Sequence, residues 1–320
     1  MPNSYKKIDY RLRPAKSIER KMFADSFRRL SAFARVSSYR YVGFGSVYFS
    51  DFYLFHKLLG FEDMISIENA THPMVQQRFE FNRPYSSIRM LFGKSTDVLP
   101  KLAWEPRTIY WLDYDTTLSS EILDDIGMIS AKAASGSVLI VSICIPGVGA
   151  TETDEEESKG PLDSLRRSIG VERVPSGLKN KDFAGWGTAE IYRQVVNNQI
   201  EESLKNRNGI LTQSSKIAYE QIYNFRYADG MRIMTLGGVL FDAGQSDVFD
   251  KCGFSTLDFT RSGSDAYLIE APLLTFREIR TLERDLPVTT NRPNLPLSAS
   301  DIDKFGKVYR YFPMFAEGEF

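Results

Sequence analysis

Five short apolar segments alternate with helix-like segments between residues 39 and 145, and this alternation constrains the fold more than any other feature. The segments cover residues 39–42, 64–67, 88–92, 108–112 and 138–145. Strands that are apolar along their whole length are typical of parallel sheets, because helices cover such sheets on both faces. The sequence therefore predicts an α/β fold with a Rossmann-like, doubly wound, mostly parallel sheet.

Two longer strand-like runs, 219–227 and 231–241, follow with little more than Asp229-Gly230 between them. An Asp-Gly pair between two such runs is a strong hairpin signal, so we expect the sheet to end in an antiparallel pair. Segments 256–260 and 266–269 suggest a second hairpin further along the chain.

The N-terminal region is basic and contains an apolar stripe. Ile18, Phe23, Phe27 and Leu30 recur at helical spacing, which predicts an amphipathic helix over 15–35. Residues 1–40 hold eleven Lys or Arg and three acids, a net charge of +8, which leaves −9 for the rest of a chain whose formal net charge is −1. Such a segment can bind an anionic partner, including a nucleic acid, or dock on the acidic remainder of the protein or on a protein partner.

These patterns divide the chain into three parts. We expect a basic N-terminal helical arm over 1–37, the α/β domain over 38–242 with an insertion at 146–216, and a C-terminal extension over 243–320.

Composition excludes several classes of protein. With 42% hydrophobic and 25% charged residues, the chain has the composition of a globular protein. Its longest apolar stretch, 138–145, is far shorter than the roughly 20 residues that span a bilayer. The N-terminus has no apolar signal core, so we expect a cytoplasmic protein without membrane contact. Two distant cysteines, Cys144 and Cys252, cannot build a disulfide framework, and Cys144 in an apolar strand is expected to be an inert core thiol.

Glycine or polar residues follow four of the five predicted parallel strands. They are Gly43-Phe44-Gly45-Ser46, Glu68, Gly93-Lys94-Ser95 and Asp113-Tyr114-Asp115. In an open α/β sheet, ligands bind beyond the carboxyl ends of the strands. Glu68 lies 25 residues after Gly43, close to the spacing at which a carboxylate accepts hydrogen bonds from ribose hydroxyls. The pattern predicts a nucleoside site, and Tyr48 at the place of a third glycine disfavours a nicotinamide cofactor.

The parallel set with its terminal hairpin resembles the class I S-adenosylmethionine-dependent methyltransferases over residues 38–242. More narrowly, Tyr41–Ser46, Phe55-His56-Lys57 and Ser66-Ile67-Glu68 are similar to segments of bacterial chains described as O-methyltransferases.

The resemblance implies S-adenosylmethionine as cofactor and assigns residues to its parts. Gly43 and Gly45, with Ser46, match the first motif, which passes under the methionine part. Glu68 matches the ribose-binding acid, and the segment with Ser95 and Asp97 matches the third motif, near the adenine. Asp113 matches the acid near the methyl group. The chain departs from the family pattern at two positions that usually hold an acid, Tyr41 and Lys94.

Methyl transfer to a hydroxyl requires positioning of the acceptor and removal of its proton, for which one carboxylate suffices. Asp113 and Asp115 are the predicted catalytic residues. Asp113 could instead contact only the cofactor, and Asp115 could be a solvated loop acid. A metal site is not predicted, because the fifth strand ends Ser142-Ile143-Cys144-Ile145 and offers no second acid.

The sequence thus favours an S-adenosylmethionine-dependent, O-directed methyltransferase with an unknown acceptor. The alternative is a non-catalytic nucleoside-binding subunit that acts through protein or nucleic-acid partners.

Overall fold

A computed structural model describes residues 13–146, 160–287 and 295–314. Its centre is an eight-stranded sheet in the order β3-β2-β1-β4-β5-β7-β6-β8. Strands β1 to β5 are parallel, and β7 pairs antiparallel with both β5 and β6. The strands are β1 (Arg40–Gly43), β2 (Asp63–Glu68), β3 (Ile88–Phe92), β4 (Thr108–Asp113), β5 (Ser137–Ile145), β6 (Ile217–Asp229), β7 (Met231–Asp242) and β8 (Tyr267–Leu268).

Ten α-helices occur in the described residues, most of them on the two faces of the sheet. They are α1 (Pro14–Arg29), α2 (Ser50–Leu59), α3 (Pro73–Asn82), α4 (Ser95–Val98), α5 (Ser120–Lys132), α6 (Pro161–Ile169), α7 (Gly187–Asn208), α8 (Ser246–Cys252), α9 (Phe276–Glu283) and α10 (Ala299–Val308). None of the helices in these residues is long and apolar enough to cross a membrane.

Glycine and helix-capping residues explain where several helices and strands begin and end. Gly60, with φ 72°, ends α2 in the left-handed conformation that glycine favours. The Ser119 side chain accepts a hydrogen bond from the Ile122 amide and caps α5. Gly230, with φ 82°, forms the turn between β6 and β7, which confirms the hairpin predicted from Asp229-Gly230.

Two apolar layers enclose the sheet. On one face α1 and α2 pack with an aromatic core that includes Phe23, Phe55, Trp111 and Tyr223. On the other face the core includes side chains of α5 and α7. The sequence prediction of a doubly wound sheet with a terminal antiparallel pair is therefore confirmed.

Helix α1 packs into the first layer, as its apolar stripe predicts, and ends at Arg29, where a short 3-10 turn continues to Ala32. The buried surface of α1 also includes three charged residues, Lys16, Glu19 and Arg20. Arg13 at the N-cap makes no side-chain capping bond. Instead, the Asp229 carboxylate in the β6–β7 hairpin accepts hydrogen bonds from the amides of Ala15 and Lys16, at 3.3 and 3.0 Å.

The second predicted hairpin is wrong. Residues 254–256 form a 3-10 turn, and only Tyr267–Leu268 is a strand, which pairs parallel with β6. Leu257 and Phe259 are buried in the aromatic layer, so burial of a loop explains the apolar character that suggested a strand.

Candidate functional site

The carboxyl ends of β2, β1 and β4 lie side by side, and they bring the predicted site residues to one edge of the sheet. Gly43 at the end of β1 is level with Ser66 on β2 and with Trp111 on β4. Glu68 and Asp113 each lie two residues further along their own strands. The structure therefore groups Gly43, Glu68 and Asp113 around the turn that follows β1.

Glu68 holds this glycine turn in place. Its Oε1 accepts hydrogen bonds from the Ser46 amide and from the Ser66 hydroxyl, both at 3.0 Å, and the Gly45 amide donates to Ser66 Oγ at 3.1 Å. Ser46 and Phe49 adopt positive φ angles of 50° and 46°, which are strained for residues other than glycine. The acid that the sequence assigns to a ribose is thus part of the support of the turn.

The two glycines of the turn are required by packing within the chain. A Cβ at Gly43 would lie 2.9 Å from Tyr41 Oη, and one at Gly45 would lie 2.6 Å from the Phe49 ring. Their presence is therefore explained without a ligand, and the site has to be argued from its polar residues.

Burial raises the pKa of Glu68 to about 8, and the hydrogen bonds from Ser66 and the turn amides oppose that rise. Glu68 as a whole residue is nevertheless partly exposed at the edge of the sheet. An acid whose pKa is strongly raised by burial beside a glycine turn is typical of a functional position.

Tyr41, which replaces the usual acid of the first motif, donates a hydrogen bond from its hydroxyl to the Asp51 carboxylate. Asp51 lies in the first turn of α2 and is buried. Burial raises the pKa of Asp51, while the positive charge of Arg20 and the Tyr41 hydroxyl lower it. The region beneath the turn therefore contains a carboxyl group, supplied by α2 instead of β1.

Asp113 is paired with a lysine from the N-terminal helix. Lys16 Nζ lies 2.7 Å from Asp113 Oδ1 and 2.9 Å from Glu19 Oε2. The Tyr227 hydroxyl on β6 donates to the same Glu19 oxygen at 2.9 Å. The side chain of Lys16 is 1% exposed, that of Glu19 is 0% exposed and that of Asp113 is 25% exposed. Asp113 is therefore the only one of these three charged groups with substantial solvent access.

Neighbouring polar groups complete the surroundings of Lys16. Its Nζ lies 3.4 Å from Ser142 Oγ and 4.5 Å from the centre of the Trp111 ring. The Trp111 Nε1 donates to the same Ser142 oxygen at 3.0 Å, and Thr235 Oγ1 lies 2.8 Å from it. The polar cluster thus links α1 to β4, β5 and β7.

The predicted adenine-side residues separate into two groups. Asp97 and Lys94 are exposed, and Lys94 pairs with Glu121 at 2.8 Å. Ser95 instead donates to Asp125 Oδ2 on α5, which also accepts from the Tyr114 hydroxyl at 2.7 Å. Asp125 is 1% exposed, its Oδ1 is buried without a hydrogen-bond partner, and burial raises its pKa. The buried acid on this side of the site is therefore Asp125.

The other candidate residues have simpler surroundings. Asp115 is exposed in the loop after β4. Burial raises the pKa of Cys144 to about 12, as expected for an inert core thiol. Within the described residues no cluster of three His, Cys, Asp or Glu is placed to hold a metal ion.

Sequence reasoning missed Lys16, Glu19, Asp51 and Asp125. For two of them a signal existed. Lys16 and Glu19 lie at helical spacing from Phe23, so they interrupt an otherwise apolar stripe with charge. Charged residues on the buried face of a helix indicate buried partners.

A family model described as "Putative O-methyltransferase" matches residues 8–320. The chain belongs to this family. No curated protein matches it in sequence.

Solved structures of methyltransferases are similar to the O-methyltransferase-family chain at low identity. An O-methyltransferase family protein from Burkholderia thailandensis is 11% identical, with 69% of this chain and 56% of that chain covered and a TM-score of 0.34. Human N-acetylserotonin methyltransferase in complex with S-adenosylmethionine is 10% identical, with 67% and 51% covered and a TM-score of 0.33. A Haloferax volcanii complex of the Trm112 methyltransferase activator and a methyltransferase gives 12% identity, 40% and 55% covered, and a TM-score of 0.30.

This chain therefore spans about half the length of these solved chains. The strand order of this chain, five parallel strands followed by an antiparallel pair, itself defines its α/β fold.

Proposed function

We propose that the protein is an S-adenosylmethionine-dependent methyltransferase that acts on an oxygen nucleophile. The observation that carries the proposal is the grouping of the Ser46 turn, Glu68 and Asp113 at the ends of three adjacent strands in a chain of the O-methyltransferase family. This edge of an open α/β sheet is where ligands bind.

The residues at the edge fit this cofactor. Glu68 is a partly exposed residue at this edge, and its carboxyl can accept hydrogen bonds from ribose hydroxyls. Asp125 Oδ1, buried without a partner, is an acceptor on the side assigned to the adenine, near Ser95 and Asp97. Lys16, Glu19 and Asp113 together carry one more negative than positive charge, which suits a cationic sulfonium.

When bound, S-adenosylmethionine would supply an electrophilic methyl group. Glu68 would hold its nucleoside part beside the end of β1, and the amides of Gly45 and Ser46, which donate to Ser66 and Glu68, would fix the turn that lies under the methionine part. Asp113, oriented by Lys16, would position the acceptor hydroxyl or accept its proton. Asp115, exposed in the same loop, is the second candidate for that base.

Calorimetry with S-adenosylhomocysteine tests the proposal for wild type, Glu68→Ala and the exposed-site control Glu62→Ala. At about pH 9, where a carboxyl with a pKa of about 8 is ionised, we expect the wild type and the control to bind equally, and Glu68→Ala to lose about 1.5–3 kcal/mol of binding free energy, which is typical of hydrogen bonds to a charged group. Absence of binding to the wild type at millimolar ligand would reject the proposal.

A non-catalytic nucleoside-binding subunit is the second candidate, because Glu68 already has partners within the turn and Lys94 stands in place of an acid. Such a subunit would bind S-adenosylmethionine and S-adenosylhomocysteine but transfer no methyl group to any hydroxyl acceptor offered. Its partner could be a protein. A nucleic-acid partner for the N-terminal segment is less favoured, since Lys16, Arg20 and Arg40 are buried.

We also propose a cytoplasmic location. Cys144 and Cys252 are both free and buried, which fits a reducing compartment.

A further inference from the structure

The first turns of α1 bury charged side chains where the helix packs on the sheet. Lys16 and Glu19 are fully buried, and Lys16 bridges Glu19 and Asp113. Burying such a set costs desolvation free energy, and apolar side chains of similar size are often at least as stabilising. The charges therefore call for a reason other than stability.

We infer that the cluster formed by Lys16, Glu19 and Asp113 selects a positively charged group on the bound cofactor, so that the protein binds S-adenosylmethionine more tightly than S-adenosylhomocysteine. This inference rests on the proposed function. It adds that the product, which is a neutral thioether, is released in favour of the cationic substrate.

The charge balance of the cluster supports this inference. Two carboxylates share one ammonium, since Asp113 and Glu19 both contact Lys16 Nζ. Among the neighbouring charges, Arg13 lies 3.9 Å from Asp229, and Arg20 acts on Asp51. Lys16, Glu19 and Asp113 by themselves sum to one negative charge.

The hydrogen bonds of Glu19 point to the same conclusion. Lys16 and Tyr227 both contact Oε2, whereas Oε1 is buried and has no hydrogen-bond partner among the residues that the structure describes. A carboxylate in this state is costly to keep in a protein interior, and its uncompensated charge raises the negative potential around it. Asp113, at the sheet edge, is the member of the cluster that reaches solvent.

The position of the cluster relates it to the reacting part of the cofactor. Asp113 is the last residue of β4, which is the neighbour of β1 and its glycine turn. In a site of low dielectric constant, one unit charge about 10 Å from another still changes binding by about tenfold or more. The cluster can therefore distinguish a sulfonium from a thioether without touching the methyl group.

Isothermal titration calorimetry with three probes tests the inference: S-adenosylmethionine, S-adenosylhomocysteine, and an analogue with a protonated amine in place of the sulfonium. For the wild type we expect both cationic ligands to bind about tenfold more tightly than the thioether. The amine analogue separates the effect of charge from that of the methyl group.

Glu19→Gln removes one negative charge while keeping the shape of the side chain, and it should reduce the preference to within threefold. Asp113→Asn should do the same, and because Asp113 is partly exposed it provides a second variant if Glu19→Gln does not fold. Glu202→Gln, the same chemical change at an exposed site on α7, should keep the wild-type ratio. Circular dichroism verifies the fold of each variant.

The outcomes separate this inference from the proposed function. Equal binding of all three ligands to the wild type, or an unchanged ratio in folded Glu19→Gln and Asp113→Asn, overturns the inference and leaves the methyltransferase proposal intact. If none of the three ligands binds the wild type, both fail.

Discussion

Replacement of Glu68 by glutamine should change how the stability of the ligand-free protein depends on pH. The folded protein holds this carboxyl beside the Ser46 turn with its pKa raised from 4.5 to about 8. Between these two values the folded state keeps a proton that the unfolded chain has lost. The wild type should therefore lose stability as pH rises from about 4.5 to 8, and Glu68→Gln, which cannot ionise, should not show this part of the loss.

The size of the effect follows from the shift. One pKa unit corresponds to about 1.4 kcal/mol, so the full shift would amount to about 5 kcal/mol. Because Glu68 as a residue is partly exposed, water screens part of the charge, and we expect about 2–3 kcal/mol for the difference between the two proteins.

Urea denaturation at pH 5, 6.5 and 8.5 measures this difference, and subtraction of the two proteins removes the contribution of every other titrating group. Glu62→Gln, at an exposed position, is the control and should follow the wild type. Parallel pH curves for the wild type and Glu68→Gln, at unchanged denaturant slopes, would refute the assignment of the raised pKa to Glu68.

Three further predictions concern the same edge of the sheet. Gly45→Ala should destabilise the protein by about 1–3 kcal/mol in urea denaturation, since its Cβ would meet the Phe49 ring at 2.6 Å, whereas Gly263→Ala has open space and should be nearly neutral. Lys16→Met should cost about 3–5 kcal/mol by the same measurement, because it leaves the buried Glu19 and the partly exposed Asp113 without their cation, and the exposed Arg28→Met should stay within about 0.5 kcal/mol. Asp113→Asn should keep the circular dichroism spectrum and lower methyl transfer at least about threefold in a radiolabel assay, with no effect of a chelator on the wild type; unchanged turnover would remove Asp113 from the transfer step.

The alternation of apolar strands and helices made the sheet predictable, because its pattern is local. Each parallel strand is apolar along nearly its whole length, and the Asp229-Gly230 turn marks the hairpin without tertiary information. The segment 256–260 was misread because a buried loop and a strand can have the same apolar content. A strand needs a free sheet edge to pair with, and the edge of β6 is already paired with Tyr267–Leu268.

Only the site residues that lie at the ends of predicted strands could be placed from the sequence. Glu68 and Asp113 end β2 and β4, the two strands on either side of β1, so the topology alone brings them to the same edge of the sheet. Lys16 meets Asp113 across 97 positions of sequence, and Glu19 meets Tyr227 across 208. No local rule links such pairs. Ser95 and Asp125 are joined in the same way, through the packing of α4 against α5, so the motif identified Ser95 but not its partner.

The cap that Asp229 provides for α1 has a consequence for the order in which the protein can assemble. The first helix of the chain receives its capping carboxylate from a residue 213 positions later than Lys16. During synthesis the ribosome releases residues 14–29 long before the β6–β7 hairpin exists, so this helix has to wait without its cap and without Tyr227. The surroundings of Lys16 and Glu19 can therefore be complete only after Tyr227 and Asp229 have been synthesised, and a nascent chain that stops before them would have the glycine turn and Glu68 but an incomplete site.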